Sequence, residues 1–305
     1  MIRVAIIGFG KIAKDQHLPA IAADPRFELV AVATPAGDPG VGVPWYSDAA
    51  ALLAAMDGTA DAIAICTPPS ARHDFARDAL LAGFDVLLEK PPTTTLGELD
   101  ALEALARERG RVLYTAWHSQ FAPGVAPAAA LLAETAIDTL HISWREDVRK
   151  WHPGQEWIWN AGGFGVFDTG INALSILSRV APMPLLVRSA TLSVPHNRQA
   201  PIAATIDFIG GDWRAEFDWR FDAGEEWIIH IATRDGRRIE LRDGGARLTL
   251  DGVDQTLDED SEYPQIYDRF ATLIDARASE VDREPLRIAA DAFMVARRES
   301  VAAFD

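Results

Sequence analysis

Arg3-Val4-Ala5-Ile6-Ile7-Gly8-Phe9-Gly10-Lys11-Ile12-Ala13 is the stretch on which the fold turns. Arg3 to Ile7 is mostly apolar with no polar alternation, which suits a strand buried on both faces of a parallel sheet. The next six residues read G-x-G-x-x-A. Gly8 permits the tight turn off the strand, and Gly10 leaves the backbone open where a pyrophosphate would approach. Ala13 lets the following helix pack close, with its N-terminus toward the anion. Such a pattern says little by itself. Directly after a buried strand and before a helix, it predicts dinucleotide binding rather than an ordinary glycine-rich turn. Gly8, Gly10, Lys11 and Ile12 are the candidate phosphate-loop residues.

Outward from this stretch, strands and helices alternate as far as Ala116. Lys11 to Ala22 reads as helix, Phe27 to Ala33 as the second strand, Asp61 to Cys66 as the third, Asp85 to Leu88 as the fourth and Arg111 to Ala116 as the fifth. Ser70 to Ala82 reads as a helix capped by Ser70. Leu96, Leu99, Leu102, Leu105 and Ala106 share one face of a helix that Gly110 ends. This alternation predicts a doubly wound parallel sheet whose ligands lie outside the carboxyl ends of the strands. Gly8, Gly10, Thr34, Thr67, Pro68, Glu89 and Lys90 fall at those ends and are candidate cofactor residues. The second strand runs into Thr34-Pro35-Ala36-Gly37, with neither an acid to bind a ribose 2′-OH nor an arginine for a 2′-phosphate. The choice between NAD and NADP stays open, with a slight lean to NAD.

After Trp117-His118 the rhythm changes. Trp213, Ala215, Phe217, Trp219 and Phe221 alternate with Arg214, Glu216, Asp218 and Arg220, the pattern of a half-buried strand. Asp235-Gly236 and Asp243-Gly244 mark hairpins. Gly165 to Val180, Tyr263 to Ala278 and Leu286 to Ala302 read as helices. The expected fold is α/β: a Rossmann dinucleotide-binding domain over residues 1–118, then an α+β domain over 119–305 with a large, mainly antiparallel, open-faced sheet. The charged face of that sheet is either solvated or paired in a homo-oligomer.

The chain has 305 residues, beyond the size of one core, and a formal net charge of −16, which disfavours nucleic acid as a partner. Cys66 is the only cysteine, so an intrachain disulfide is excluded, and a reducing cytoplasm is expected. The sequence suggests neither a secretory leader nor a membrane span. Nothing in it has the spacing of a metal site, a Walker loop or a nucleophile elbow.

Three places can carry chemistry. Lys90, at a strand end beside a cofactor, could accept or relay a proton. Asp168 and Asn172 lie four apart, on one helix face; Asp168 could equally be a helix cap. Gly162, Gly163 and Gly165 upstream could allow a ligand to approach. Glu146 shares a strand face with Leu140, Ile142 and Trp144, where a carboxylate needs a partner or a ligand. Trp151, His152, Trp157, Trp159 and Trp227 add rings suited to stacking on a sugar. His118 stands at the domain crossing.

Gly8 to Ala13, Glu89-Lys90-Pro91 and Asp168-x-x-x-Asn172 resemble, in order, three signature regions of the glucose-fructose oxidoreductase/inositol dehydrogenase/MocA family. Lys11 to Ala20, Trp117-His118-Ser119, Trp151 to Gln155 and Asp168 to Ile176 resemble its bacterial L-arabinose/D-galactose 1-dehydrogenases. The resemblance implies hydride transfer from a sugar carbon to NAD(P)+, with Lys90 and Asp168 as the catalytic pair. It implies that His118, Glu146, Trp151, Asn172 and Trp227 line the sugar site, and that His118 also meets the cofactor. Many members have His where this chain has Asn172; an amide cannot take up the proton, so Lys90 or Asp168 must. The expected activity is a 1-dehydrogenase of neutral pyranoses. A non-catalytic sensor of sugar and NAD(P), or an inositol dehydrogenase, is the alternative.

Overall fold

The computed structural model of the protein describes residues 1–259 and 261–305. It divides into two compact units. One comprises Met1–Trp117 with Tyr263–Arg283, the other His118–Glu262 with Glu284–Asp305.

The first unit is built on β1 (Ile2–Ile7), β2 (Phe27–Ala33), β3 (Trp45–Tyr46), β4 (Ala62–Ile65), β5 (Asp85–Glu89) and β6 (Leu113–Ala116). They form one parallel sheet in the order β3-β2-β1-β4-β5-β6. Val4 to Ile6, Ile63 to Ile65 and Leu87 to Leu88 are fully buried, as continuous apolar strands covered on both faces should be. The helices are α1 (Leu18–Ala23), α2 (Ala49–Ala55), α3 (Pro69–Leu81) and α4 (Leu96–Arg109). A π-helical stretch, Ala13–His17, precedes α1. Helix α3 begins at Pro69, whose fixed φ suits the first helical position, so Ser70 lies inside the helix and does not cap it. Thr95 and Glu98 form a capping box on α4, and Gly110 closes it at φ +60°.

The second unit contains α5 (Val125–Leu132), β7 (Ile137–Arg145), α6 (Val148–Trp151), α7 (Phe167–Val180), β8 (Leu186–Pro195), β9 (Ala203–Ile209), β10 (Asp212–Asp218), β11 (Glu226–Thr233), β12 (Arg238–Arg242), β13 (Arg247–Leu250) and β14 (Val253–Asp254). Helix α8 (Glu262–Ala276) follows and from Tyr263 on belongs to the first unit; helix α9 (Glu284–Val295) and strand β15 (Ala296–Val301) complete the second. The sheet order is β14-β13-β12-β11-β7-β10-β9-β8-β15; β7–β10 and β8–β15 run parallel and the other neighbours antiparallel. On β10, Trp213, Ala215 and Phe217 are buried while Arg214 is exposed. Phe167 of α7 meets Phe217 edge-on at 5.6 Å.

Two further sequence expectations are corrected. Residues 296–301 are not helix but an edge strand: Ala296-Arg297-Arg298-Glu299-Ser300-Val301 has no helical apolar stripe, and β8 offers it a pairing edge. Tyr263–Arg283, assigned by sequence to the second domain, packs into the first unit. Tyr267 and Phe270 of α8 lie on Phe27 at 5.1 and 6.4 Å, and Phe270 also stacks near Tyr114 at 6.1 Å. Glu280 then bonds with the edge of β6, its N–H donating to Leu113 O and its carbonyl accepting from Thr115 N. Among the described residues no helix is long and apolar enough to cross a membrane.

Candidate active site

In the first unit, the turn after β1 is shaped for close approach. Gly8 has φ +90°, and a Cβ there would stand 2.8 Å from Thr67 N, so only glycine fits. A Cβ on Gly10 would meet nothing within 4 Å, which leaves open space beside its backbone. The Thr67 hydroxyl is buried and has no protein partner. Thr34 is buried at the end of β2; its hydroxyl accepts from Ala36 N at 3.3 Å and its carbonyl from Trp45 Nε1 at 2.9 Å. Asp38 is turned inward on its own loop, accepting from Gly40 N at 2.8 Å. Lys11 is exposed and paired with Asp15. Pro68 precedes α3 in an extended conformation.

Glu89-Lys90-Pro91 leaves the end of β5, with the Lys90–Pro91 peptide cis. Glu89 is buried, and its carboxylate accepts from the Lys90 N–H at 3.0 Å, from the Tyr263 hydroxyl at 2.6 Å and from His17 Nε2 at 2.9 Å. Lys90 is half-buried. Arg72, also buried, donates to the carbonyls of Thr67, Glu89 and Pro91, tying the ends of β4 and β5 together. The carboxylate of Glu89 is therefore taken up inside the unit.

The second unit gathers its candidates around the end of β7 and the start of α7. Glu146 is buried, and its Oε2 accepts from Trp227 Nε1 at 2.8 Å. Trp227 stacks on Trp144 at 6.0 Å and meets Trp151 at 5.3 Å. Trp151 is 37% exposed, with Nε1 donating to Glu225 at 3.2 Å. The next residue, His152, puts Nε2 3.8 Å from Asp168 Oδ2 and packs against Trp219 at 5.2 Å. Trp219 Nε1 donates to Thr169 Oγ1 at 2.9 Å. Asp168 is buried in the first turn of α7 and does not cap it, the N-cap being Val166. Asn172, one turn on, is half-buried. Trp144, Glu146, Trp151 and Trp227 thus form one group and His152, Asp168 and Trp219 another, the two joined in the chain at Trp151-His152. His118 is held otherwise, Nδ1 at 2.7 Å from Glu262.

Of the glycines before α7, Gly163 and Gly165 are required by close backbone packing. A Cβ on Gly163 would stand 2.1 Å from Trp157 O, and one on Gly165, at φ +54°, 2.3 Å from Pro201 O. A depression of about 330 Å³ on the polar sheet face, lined by Arg145, Glu216, Asp218, Arg220 and Glu299, contains none of the candidates. Among the described residues, no His, Cys, Asp or Glu cluster could hold a metal ion.

Residues 2–117 match an oxidoreductase family described as NAD-binding with a Rossmann fold, GFO/IDH/MocA. Over 306 residues the chain is 47% identical to galactose 1-dehydrogenase of Pseudomonas fluorescens, covering 99% of this chain and 98% of that one. The chain belongs to the GFO/IDH/MocA oxidoreductase family. A crystal structure of a D-galactose-1-dehydrogenase protein from Rhizobium etli is 48% identical, with TM-score 0.93 over 100% of this chain and 98% of that one. A 3-ketoreductase from Actinomadura kijaniata, solved with NADP and TDP-benzene, shares the fold at 20% identity, TM-score 0.84, over 100% and 99%. As a GFO/IDH/MocA oxidoreductase the chain uses a nicotinamide dinucleotide, NAD or NADP. Its first unit fits one: the space beside Gly10 can admit a pyrophosphate, and the Thr67 hydroxyl is a buried polar atom awaiting a partner.

Sequence reasoning offered His152 only as a ring for stacking on a sugar and missed that it stands beside Asp168. The only signal is its position after Trp151, because the fifteen residues between it and Asp168 hide the pairing. His17, Arg72 and Tyr263 are likewise invisible as neighbours of Glu89.

Proposed function

We propose that this chain is an NAD(P)-dependent aldose 1-dehydrogenase, oxidising the C1–OH of a neutral pyranose to the lactone. The observation that carries this is its full-length 47% identity with a galactose 1-dehydrogenase. A bound nicotinamide would supply the acceptor for the C1 hydride. Lys90 and Asp168 move the proton that O1–H gives up as the C1–O1 carbonyl forms. His152 keeps Asp168 oriented, and Asn172, which cannot take the proton, orients the sugar. Glu146, Trp151 and Trp227 supply a carboxylate and two indoles for hydroxyls and a C–H face. His118 is a further contact to sugar and cofactor.

A sugar phosphate or uronate would call for arginines. The two nearest in sequence are engaged elsewhere: Arg145 with Glu216 at 2.5 Å, and Arg149 over the Phe304 ring at 4.2 Å. D-Galactose, L-arabinose and D-fucose share their configuration from C1 to C4, with O4 axial. D-Glucose, with O4 equatorial, would leave a buried polar group unpaired, at a cost of ~1–3 kcal/mol. An aldose panel followed by absorbance of reduced cofactor should give kcat/KM at least about tenfold higher for galactose and arabinose than for glucose. Glu146→Ala should narrow that gap. Equal rates on glucose, or activity only on inositols, would overturn the assignment. Binding of cofactor and sugar without turnover would make the protein a sensor. The cofactor reading is a modest preference for NAD, supported by the absence of a basic residue in Thr34-Pro35-Ala36; a hundredfold preference for NADP in kcat/KM would overturn it. The single cysteine supports a cytoplasmic setting.

A further inference from the structure

The first unit holds a buried polar cluster that the proposed reaction leaves unused. Glu89 and His17 are both buried, 2.9 Å apart. His17 Nδ1 lies 2.8 Å from the Tyr267 hydroxyl, and the ring packs edge-on against Tyr263 and Tyr267 at 5.1 and 5.8 Å. A carboxylate this far from water needs a compensating charge. Burial works to discharge the His17 ring, but the Cys66 thiol, the Tyr267 hydroxyl and the Glu89 carboxylate outweigh it and hold the imidazole well above its ordinary range. The pair does more than neutralise itself. Glu89 Oε2 accepts the backbone N–H of Lys90, and Arg72 grips the carbonyls on either side of that residue. The main chain that carries Lys90 is thereby fixed at its N–H, at the preceding carbonyl and at the carbonyl of Pro91.

We propose that His17 and Glu89 are positioning residues for Lys90: the buried pair sets the backbone from which the lysine side chain reaches its reacting proton. This rests on Lys90 being a proton-transferring group. A misplacement of about 1 Å at such a group can cost roughly a hundredfold in rate.

The test uses His17→Ala, His17→Gln, Tyr263→Phe, Lys90→Ala and the double variant His17→Ala/Lys90→Ala, with D-galactose and NAD(P)+. The Gln variant can still donate to Glu89 but carries no charge, and Tyr263→Phe removes one donor from the same carboxylate. In His17→Ala, kcat should fall roughly 10- to 100-fold. The galactose KM and the fluorescence-measured Kd for reduced cofactor should stay within about threefold. His17→Gln should recover part of kcat, and Tyr263→Phe should lose less than His17→Ala. In the Lys90→Ala background, His17→Ala should cause no further loss. Wild-type kcat in His17→Ala, or a His17 effect undiminished without Lys90, would overturn the inference. So would a loss confined to cofactor Kd. Should His17→Ala fail to fold, full kcat in both His17→Gln and Tyr263→Phe would overturn it. A crippled Lys90→Ala beside an unaffected His17→Ala removes this inference alone; full kcat in Lys90→Ala removes the reading of Lys90 and this inference with it.

Discussion

Single side chains decide whether this chain turns over. Changing Lys90→Ala should lower kcat by ~10²–10⁴-fold, the usual worth of one proton-transferring group, and leave cofactor Kd nearly unchanged. Asp168→Ala should behave alike, and in steady-state kinetics the double variant should fall far short of the product of the two losses. His17 adds a dependence on pH. Its folded pKa is raised above its ordinary 6.5, so its contribution to stability is fully present below pH 6.5 and is lost as pH climbs through the raised value. The Tm gap between the wild type and His17→Gln should therefore be widest in mild acid and shrink toward alkaline pH, as followed by circular dichroism. Lys90 and Asp168 could be put forward as candidates from sequence because each has a local signal, one at a strand end and one by its spacing to Asn172. The pairings of His152 with Asp168 and of His17 with Glu89 could not. These partners lie sixteen and seventy-two residues apart, which no local pattern encodes.

Helix α7 and the strand beneath it show what an element contributes. Gly170 faces Phe217, and a Cβ there would come within 2.5 Å of the ring. Gly170→Ala should push the first turn of α7, with Asp168 in it, off the sheet. Urea unfolding should show a loss of ~1–3 kcal/mol, accompanied by lower kcat. At the other end of the scale of effects, Thr95→Ala removes one half of a capping box and should cost ~1 kcal/mol in the same assay with kcat unchanged. Periodicity made the sheets and most helices legible: buried runs for β1, β4 and β5, alternation for β10. It failed at residues 296–301, where an open sheet edge and not intrinsic preference sets the backbone. It also missed β3, whose two residues are too few to show any period.

For the whole molecule, assembly is the first question. The polar face of the nine-stranded sheet presents Arg145, Arg214, Glu216 and Glu226 as a charged lattice. Our reading is a homo-oligomer paired through that face, so light scattering should return a multiple of 33.2 kDa; a monomer mass would remove it. The acidic balance visible in the sequence also predicts no retention on immobilised nucleic acid at physiological salt. Where the chain crosses between its units was only half legible, because the apolar stripe of α8 declares that it must be buried but not against what. The return of Tyr263–Arg283 to the first unit has a consequence for biosynthesis. A ribosome that has released residues 1–118 has made every strand of the dinucleotide-binding sheet, yet Phe27, Tyr114 and the His17–Glu89 pair still lack the aromatic cover that α8 brings. The nascent sheet must wait, partly uncovered, while some 145 further residues are translated, and a truncated 1–118 product should be aggregation-prone and fail to retain cofactor.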